Sequence, residues 1–77
     1  MKVYRVDCAW DEEARVWYVT DSDVPGLITE ADRMDEMEAK LRRMVPELLE
    51  LNRELVQPYD AVPFDLITRK RGLAPNP

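Results

Sequence analysis

The stretch Asp23-Val24-Pro25-Gly26-Leu27 decides how this chain is arranged. Proline holds its own φ at about −65°, and glycine readily adopts the positive φ that the next position of a tight turn requires. Two strand-like runs precede the pentapeptide, and a short one follows it. The pentapeptide therefore predicts a reversal between a second and a third strand.

The residues before this turn predict a β-hairpin. Residues 2–10 alternate between two sides, as expected for a half-buried strand, with one side made by Tyr4, Val6, Cys8 and Trp10. The polar stretch Asp11-Glu12-Glu13-Ala14 predicts a hairpin loop. Residues 15–20, rich in aromatic and β-branched side chains, predict the second strand.

Both sides of the predicted second strand are largely apolar. We expect Trp17 and Val19 to face a helix, which leaves Val16, Tyr18 and Thr20 on the other side. That second side is either an ordinary surface with a scattered aromatic or a surface used for assembly. Val16 and Tyr18 are the candidate residues for contact with a second copy or with a partner.

A short third strand over residues 27–31 follows the turn and leads into a helix. Asp32 offers an N-cap, and Asp35, three residues later, makes a weak version of a capping box. Arg33 is the competing cap position, and it is a poor one because arginine has no short side-chain acceptor.

The helix is indicated by apolar residues that recur at three- and four-residue spacing. They are Met34, Met37, Leu41, Met44, Val45 and Leu48. Pro46 removes one helical hydrogen bond, and we expect a bend there and not a stop. The helix should end near Asn52, although residues 53–55 could add a last turn.

A linker, Gln57-Pro58-Tyr59-Asp60, and a fourth strand complete the predicted fold. Val62, Phe64 and Leu66 alternate with Pro63, Asp65 and Ile67. Because Pro63 cannot donate a backbone hydrogen bond, this strand should lie at an edge or turn that position outward. We predict an α+β fold of order β-β-β-α-β: a small antiparallel-dominated sheet with one amphipathic helix on one face. Residues 1–70 form a single domain and residues 71–77 a flexible tail.

Charge and composition narrow the function classes. The chain has 77 residues and a formal net charge of −5, which suits a basic protein partner better than direct nucleic-acid binding. Cys8 is the single cysteine, so no internal disulfide forms. No signal peptide is recognisable, and no apolar run is long enough to cross a membrane. We therefore expect a cytoplasmic protein without a membrane partner.

The chain offers few groups for catalysis. It contains no histidine, only two glycines and one cysteine, which we expect to be packed and inert, so we predict no cofactor and no enzymatic activity. Carboxylates are the remaining candidates: Asp7, Asp11, Glu12, Glu13, Asp21 and Asp23. They could hold Mg²⁺ for hydrolysis of nucleic acid, or they could serve as turn formers and solvated surface.

Several of these stretches together resemble the HicB-like antitoxin domain. They are Val16-Trp17-Tyr18-Val19-Thr20, the Pro-Gly reversal, Thr29-Glu30-Ala31 and the helix that follows. The segment Met44-Val45-Pro46-Glu47-Leu48-Leu49-Glu50-Leu51-Asn52 is similar to a small bacterial branch of that superfamily with a proline inside the helix. The resemblance covers about residues 2–55.

The resemblance implies a partial ribonuclease H-like fold that lacks the active-site residues of a ribonuclease. HicB proteins bind and mask a small basic HicA toxin, which cleaves mRNA, and many carry a C-terminal DNA-binding module. Only a few residues follow the fourth strand here, so we expect no such module. Arg33 stands where the family has a Ser or Thr helix cap, and the motif assigns no toxin-contacting residue.

These observations favour a non-enzymatic protein-binding module. It would pair with a protein partner, in particular a small basic toxin, and with itself, a dimer being favoured. The alternative is an orphan structural or regulatory homodimer that has no toxin partner.

Overall fold

The computed structural model describes residues 2–53 and 61–77. Within them the elements are β1 (Tyr4–Asp11), β2 (Val16–Ser22), β3 (Glu30–Ala31), α1 (Met34–Leu51) and β4 (Phe64–Arg69). The strands form one sheet of order β3-β2-β1-β4. The β1–β2 and β2–β3 pairs are antiparallel and the β1–β4 pair is parallel. The predicted α+β class, with a mostly antiparallel sheet and one helix, is therefore confirmed.

The core lies between α1 and one side of the sheet. Its buried side chains include Tyr4, Val6 and Cys8 from β1 and Met37, Leu41, Val45 and Leu49 from α1. Each large apolar side chain removed from water in this way stabilises the fold by about 1.5–3 kcal/mol. Trp17 and Val19 pack against this cluster, so they face the helix as predicted.

The loop between β1 and β2 is organised by one carboxylate. Oδ1 of Asp11 accepts hydrogen bonds from the backbone N–H groups of Glu13 and Ala14, at 3.0 and 3.1 Å. Arg15 follows with a φ of 59°, in the left-handed region. Because that conformation cannot continue a strand, β2 begins at Val16 and not at the predicted residue 15.

The Pro-Gly reversal has the predicted geometry. The N–H of Leu27 donates to the carbonyl of Val24 at 3.3 Å, and Gly26 has a φ of +75°. A positive φ at the third position, directly after proline, is typical of a type II turn. Val24 and Leu27 are buried, so the turn also adds to the core.

The third strand is shorter than predicted, and the interval 27–29 is not strand. Leu27 still belongs to the turn, and Ile28 is 87% exposed. Contact with β2 begins only at Thr29, whose carbonyl accepts the N–H of Val19 at 3.2 Å. The prediction over residues 27–31 was therefore wrong for its first part, because the turn delays strand pairing.

The predicted N-cap at Asp32 was also wrong. The cap residue is Arg33, which is extended and makes no side-chain capping bond. Asp35 takes over this role from within the first turn: its carboxylate bonds the Arg33 guanidinium and accepts the N–H of Glu36 at 3.0 Å. The first helical bond, from the N–H of Met37 to the carbonyl of Arg33, then fixes the start.

Helix α1 continues through Pro46, as predicted, and ends at Leu51. The side-chain Nδ2 of Asn52 donates to the carbonyl of Leu48 at 2.7 Å, and Arg53 has a φ of 57°. The left-handed Arg53 does not continue the helix, and residues 54 and 55 of the alternative last turn lie outside the described residues. In the described part of the chain, no helix is long and apolar enough to cross a membrane.

Strand β4 lies at the edge of the sheet, where Pro63 predicted it. The strand starts directly after this proline, whose carbonyl accepts the N–H of Tyr4 at 3.1 Å. The predicted start at Val62 was thus slightly early. The predicted linker over residues 57–60 lies outside the described residues. Residues 70–77, here called the arm, follow β4 without regular secondary structure and are exposed throughout.

Candidate functional site

The candidate site is the side of the sheet opposite α1, here called the open face. Side chains alternate along a strand, so the neighbours of buried Tyr4, Val6 and Cys8 point to this side. Strand pairing arranges them in rows that run across the sheet in the order β4, β1, β2 and β3. The first row is Arg69, Ala9, Tyr18 and Glu30, the second is Ile67, Asp7 and Asp21, and the third is Asp65 and Arg5. Val16 also belongs to this face, two residues before Tyr18 in β2.

The centre of the open face is apolar. The predicted contact residues Val16 and Tyr18 both lie here; Tyr18 is 40% exposed and Val16 is half-buried. Ala9 from β1 and Ile67 from β4, which is 48% exposed, belong to the same surface. The sequence had put Ala9 and Ile67 on the less apolar side of their strands. That they share a surface with Tyr18 depends on strand pairing, which no local pattern reveals.

A depression lies in this surface beside Ala9. The hollow has a volume of about 210 Å³, and Ala9, Thr20, Ile67 and Arg69 are among the residues that line it. Thr20 is the extra residue of a β-bulge, because Asp7 pairs with Asp21 and the following Cys8 pairs with Val19. The hollow is of a size to receive one aliphatic side chain.

Carboxylates outnumber the basic groups around this apolar centre. Arg5 forms ion pairs with Asp7 and Asp21, at 3.4 and 3.1 Å. Its backbone N–H donates to Asp23 at 3.0 Å, and Asp65 is its neighbour in β4. The guanidinium of Arg5 thus serves several carboxylates, and Arg69 is the other basic residue in these rows. The open face therefore keeps a surplus of negative charge that can attract a basic group.

The acidic residues near the hairpin do not form a metal-binding cluster. Among residues 2–53 and 61–77, no group of three Asp, Glu or Cys residues comes close enough to hold a metal ion. Asp11 is used by the loop. Glu12 accepts the indole N–H of Trp10 at 2.7 Å and pairs with Arg15, and these contacts, the indole first, lower the pKa of Glu12. The two acids thus serve the hairpin, as the simpler interpretation predicted.

Cys8 is packed in the core, as predicted. Its side chain is 2% exposed, and burial, followed by the charge of Asp7, raises the pKa of the thiol above its ordinary value. A protonated and inaccessible thiol is a poor nucleophile. The structure therefore gives Cys8 a packing role.

Comparison with known proteins identifies the family and confirms the fold. A crystal structure of the hypothetical protein TTHA1013, from the extremely thermophilic bacterium Thermus thermophilus, is 42% identical in sequence with a TM-score of 0.71. The similarity covers 95% of this chain and 99% of that one. A search of curated proteins found no match. Residues 3–75 match the family described as a domain of unknown function, DUF1902. The chain therefore belongs to the DUF1902 family.

Proposed function

We propose that this chain is a non-enzymatic protein-binding module whose open face binds a small basic protein. The observation that supports it is the uncovered patch of Ala9, Val16, Tyr18 and Ile67, bordered by carboxylates. An apolar centre within a charged border is the usual composition of a protein–protein interface.

The two parts of the surface have different roles in this proposal. Tyr18 acts as the anchor, since a half-exposed tyrosine offers a large apolar area together with a hydroxyl group at modest entropic cost. Asp7, Asp21 and Asp65 speed the encounter with a positively charged partner more than they tighten the complex.

The partner class comes from the resemblance to HicB antitoxins. On that basis the partner is a small basic, mRNA-cleaving toxin of the HicA type, and the module neutralises it by covering its surface. A role without catalysis agrees with the buried Cys8 thiol and with the structural use of Asp11 and Glu12 in the first hairpin.

The test is co-purification of the tagged chain with the product of the adjacent gene. A basic protein should be retained by the wild-type chain. Tyr18→Asp should weaken that binding at least about thirtyfold, the effect of losing one anchor residue. Leu51→Asp, the same kind of change at an exposed residue at the end of α1, is the matched control and should bind normally. The proposal fails if no basic partner is retained, or if Tyr18→Asp binds as well as the control.

A second candidate is an orphan structural or regulatory homodimer without a toxin. The arm favours it, because its first residues, Lys70 and Arg71, are basic whereas the rest of the chain is acidic. Light scattering should then give twice the chain mass of 9.0 kDa, and Tyr18→Asp should give monomers. A monomeric wild-type chain would contradict this candidate.

A further inference from the structure

The arm extends away from its own domain. The molecule measures 57 × 22 × 18 Å, whereas α1 with its 18 residues is about 27 Å long. Its radius of gyration is 14.6 Å, against the roughly 11–12 Å of a compact chain of this length. Residues 70–73 line a cleft of about 530 Å³ together with Trp10 and Glu12. Because the arm is exposed throughout, it is available to a surface outside its own domain.

The first residue of the arm contacts its own domain, whereas Leu73 further along is almost fully exposed. The Lys70 ammonium lies 4.8 Å from the centre of the Trp10 ring. This cation–π contact holds the first residue of the arm against the hairpin. Beyond it, Leu73 is 93% exposed. Pro75 and Pro77 restrict the backbone that follows, so the arm loses less conformational entropy on binding than a flexible segment would.

Arg69 at the end of β4 and the first two residues of the arm are basic, whereas the rest of the chain carries a net negative charge. Arg69, Lys70 and Arg71 are three of the 11 basic residues, so residues 1–68 hold 8 basic and 16 acidic residues and a formal net charge of −8. In the described part of the chain, none of these three basic residues has a carboxylate at salt-bridge distance. Their natural partners are the surplus carboxylates of an open face.

The distances favour an exchange between two copies. Arg69, the last residue of β4, lines the depression beside Ala9, so the arm leaves the sheet next to the site that it would need in a second copy. The four residue-to-residue steps from Arg69 to Leu73 span about 13 Å when extended. A two-fold axis near Arg69 would thus place each arm over the other open face, as an isologous dimer requires.

We propose that the arm of one copy lies on the open face of a second copy. Leu73 fills the depression beside Ala9, and Arg71 pairs with the carboxylates of Asp7 and Asp21. This inference rests on the proposed function, since it assigns the same surface. The inference adds that the arm of a second copy already occupies the open face, so a basic partner must displace this arm to bind.

The first experiment measures solution mass by light scattering over a wide range of protein concentrations. The wild-type chain should show twice its mass of 9.0 kDa. A variant lacking residues 72–77 and the variant Ala9→Glu should each be monomeric, while circular dichroism shows both folded. Leu73→Ala should raise the dimer dissociation constant about a hundredfold, because the symmetric dimer loses two buried leucines at roughly tenfold each.

Mixing the two monomeric variants separates arm exchange from a dimer that buries two open faces against each other. One variant keeps the face and the other keeps the arm, so together they should form a one-armed dimer. A face-to-face dimer predicts the reverse: the variant lacking residues 72–77 stays dimeric, and the mixture gains nothing. That result, or a monomeric wild-type chain, would overturn the proposal.

A peptide provides a measurement that does not depend on the Ala9→Glu variant. Labelled peptide Arg-Lys-Arg-Gly-Leu-Ala-Pro-Asn-Pro, residues 69–77, should bind the variant lacking residues 72–77 and lose affinity as salt is added. The same peptide with Leu73→Asp is the control, and equal binding of both overturns the proposal. If the wild-type chain is a monomer that still binds a basic protein, the arm exchange is wrong and the proposed function stands. If it is a dimer that binds no basic protein, the proposed antitoxin-like function is wrong and the arm exchange stands.

Discussion

Tyr18 lies directly opposite Ala9 in the β1–β2 ladder, on the side of the sheet that α1 does not cover. Ala9 also lines the depression, together with Thr20, Ile67 and Arg69. Residues that face each other across a ladder stabilise it through their contact, and the small alanine offers Tyr18 little area to contact. The pair is therefore a place where stability and binding can be separated by one substitution.

Ala9→Val should stabilise the domain and weaken dimer formation. Valine favours strands and would contact Tyr18, so the free energy of unfolding should rise by about 0.5 kcal/mol. The same methyl groups would fill the depression that we propose Leu73 of a second copy occupies. Denaturant unfolding and light scattering measure the two effects. Ala39→Val, on the exposed side of α1, is the control and should lower stability slightly while leaving the mass unchanged. An undisturbed dimer in Ala9→Val would show that the depression is not occupied.

Gly26→Ala should destabilise the fold by about 1 kcal/mol, because alanine is strained at positive φ. The added Cβ would meet the Cδ2 of Leu48 at 3.9 Å, an ordinary contact, so the loss would come from the backbone alone. Gly72→Ala is the matched control: no atom lies within 4 Å of its Cβ position, and stability should stay within about 0.5 kcal/mol. Urea unfolding of both variants tests this, and equal stabilities would contradict it.

Arg53→Gly should stabilise the chain. Arg53 closes α1 with a φ of 57°, the position after the cap where glycine is preferred. We expect a gain of about 0.5–1 kcal/mol in thermal or urea unfolding. The same change at Arg43, an exposed residue inside α1, should instead lose about 1 kcal/mol. A loss at both positions would mean that the Arg53 side chain makes a stabilising contact.

Replacing Cys8 distinguishes packing from reactivity. Cys8→Ala should cost about 1–2 kcal/mol through the small cavity that it leaves. Cys8→Ser should cost about 1–2 kcal/mol more, because its hydroxyl would be buried among apolar neighbours. A thiol reagent should label the native wild-type chain only as fast as the chain unfolds. Rapid labelling under native conditions would contradict the packing role.

Cys8 also predicts an alkaline loss of stability. Burial, and then the charge of Asp7, raise the pKa of the folded thiol above its ordinary value of 9.0. The unfolded thiol therefore ionises first, and the contribution of the thiol is complete below that value and lost as pH rises through the folded pKa. Wild-type stability should fall more steeply than that of Cys8→Ala above this pH. Parallel curves would show that the thiol ionises equally in both states.

The sequence predicted the features that depend on neighbouring residues. The turn at Pro25 and Gly26, the buried stripe of α1 and the passage of that helix through Pro46 are all local consequences of side-chain type. The alternation of side chains along β2 is also local, which is why the sequence placed Tyr18 on the side opposite Trp17 and Val19. Where two local preferences competed, as at Asp32 and Arg33, the prediction failed because the ion pair with Asp35 decided the outcome.

Features that depend on distant residues could not be predicted in this way. The alternation in residues 62–67 indicates a strand but carries no information about its partner, so the parallel pairing with β1 was not foreseen. Ala9 and Ile67 become neighbours only through that pairing, and the depression with them. The left-handed Arg15 and Arg53 were likewise unexpected, since arginine gives no signal for positive φ.

The parallel pairing of β1 with β4 has a consequence for folding during synthesis on the ribosome. Of the described strands, β1 is synthesised first and is an inner strand, and one of its two neighbours, β4, is synthesised last. Until β4 emerges, nascent β1 presents an uncovered ladder of amide and carbonyl groups to other chains. Synthesis that stalls before Phe64 would release a fragment with this unpaired strand edge, which can pair with other chains and aggregate.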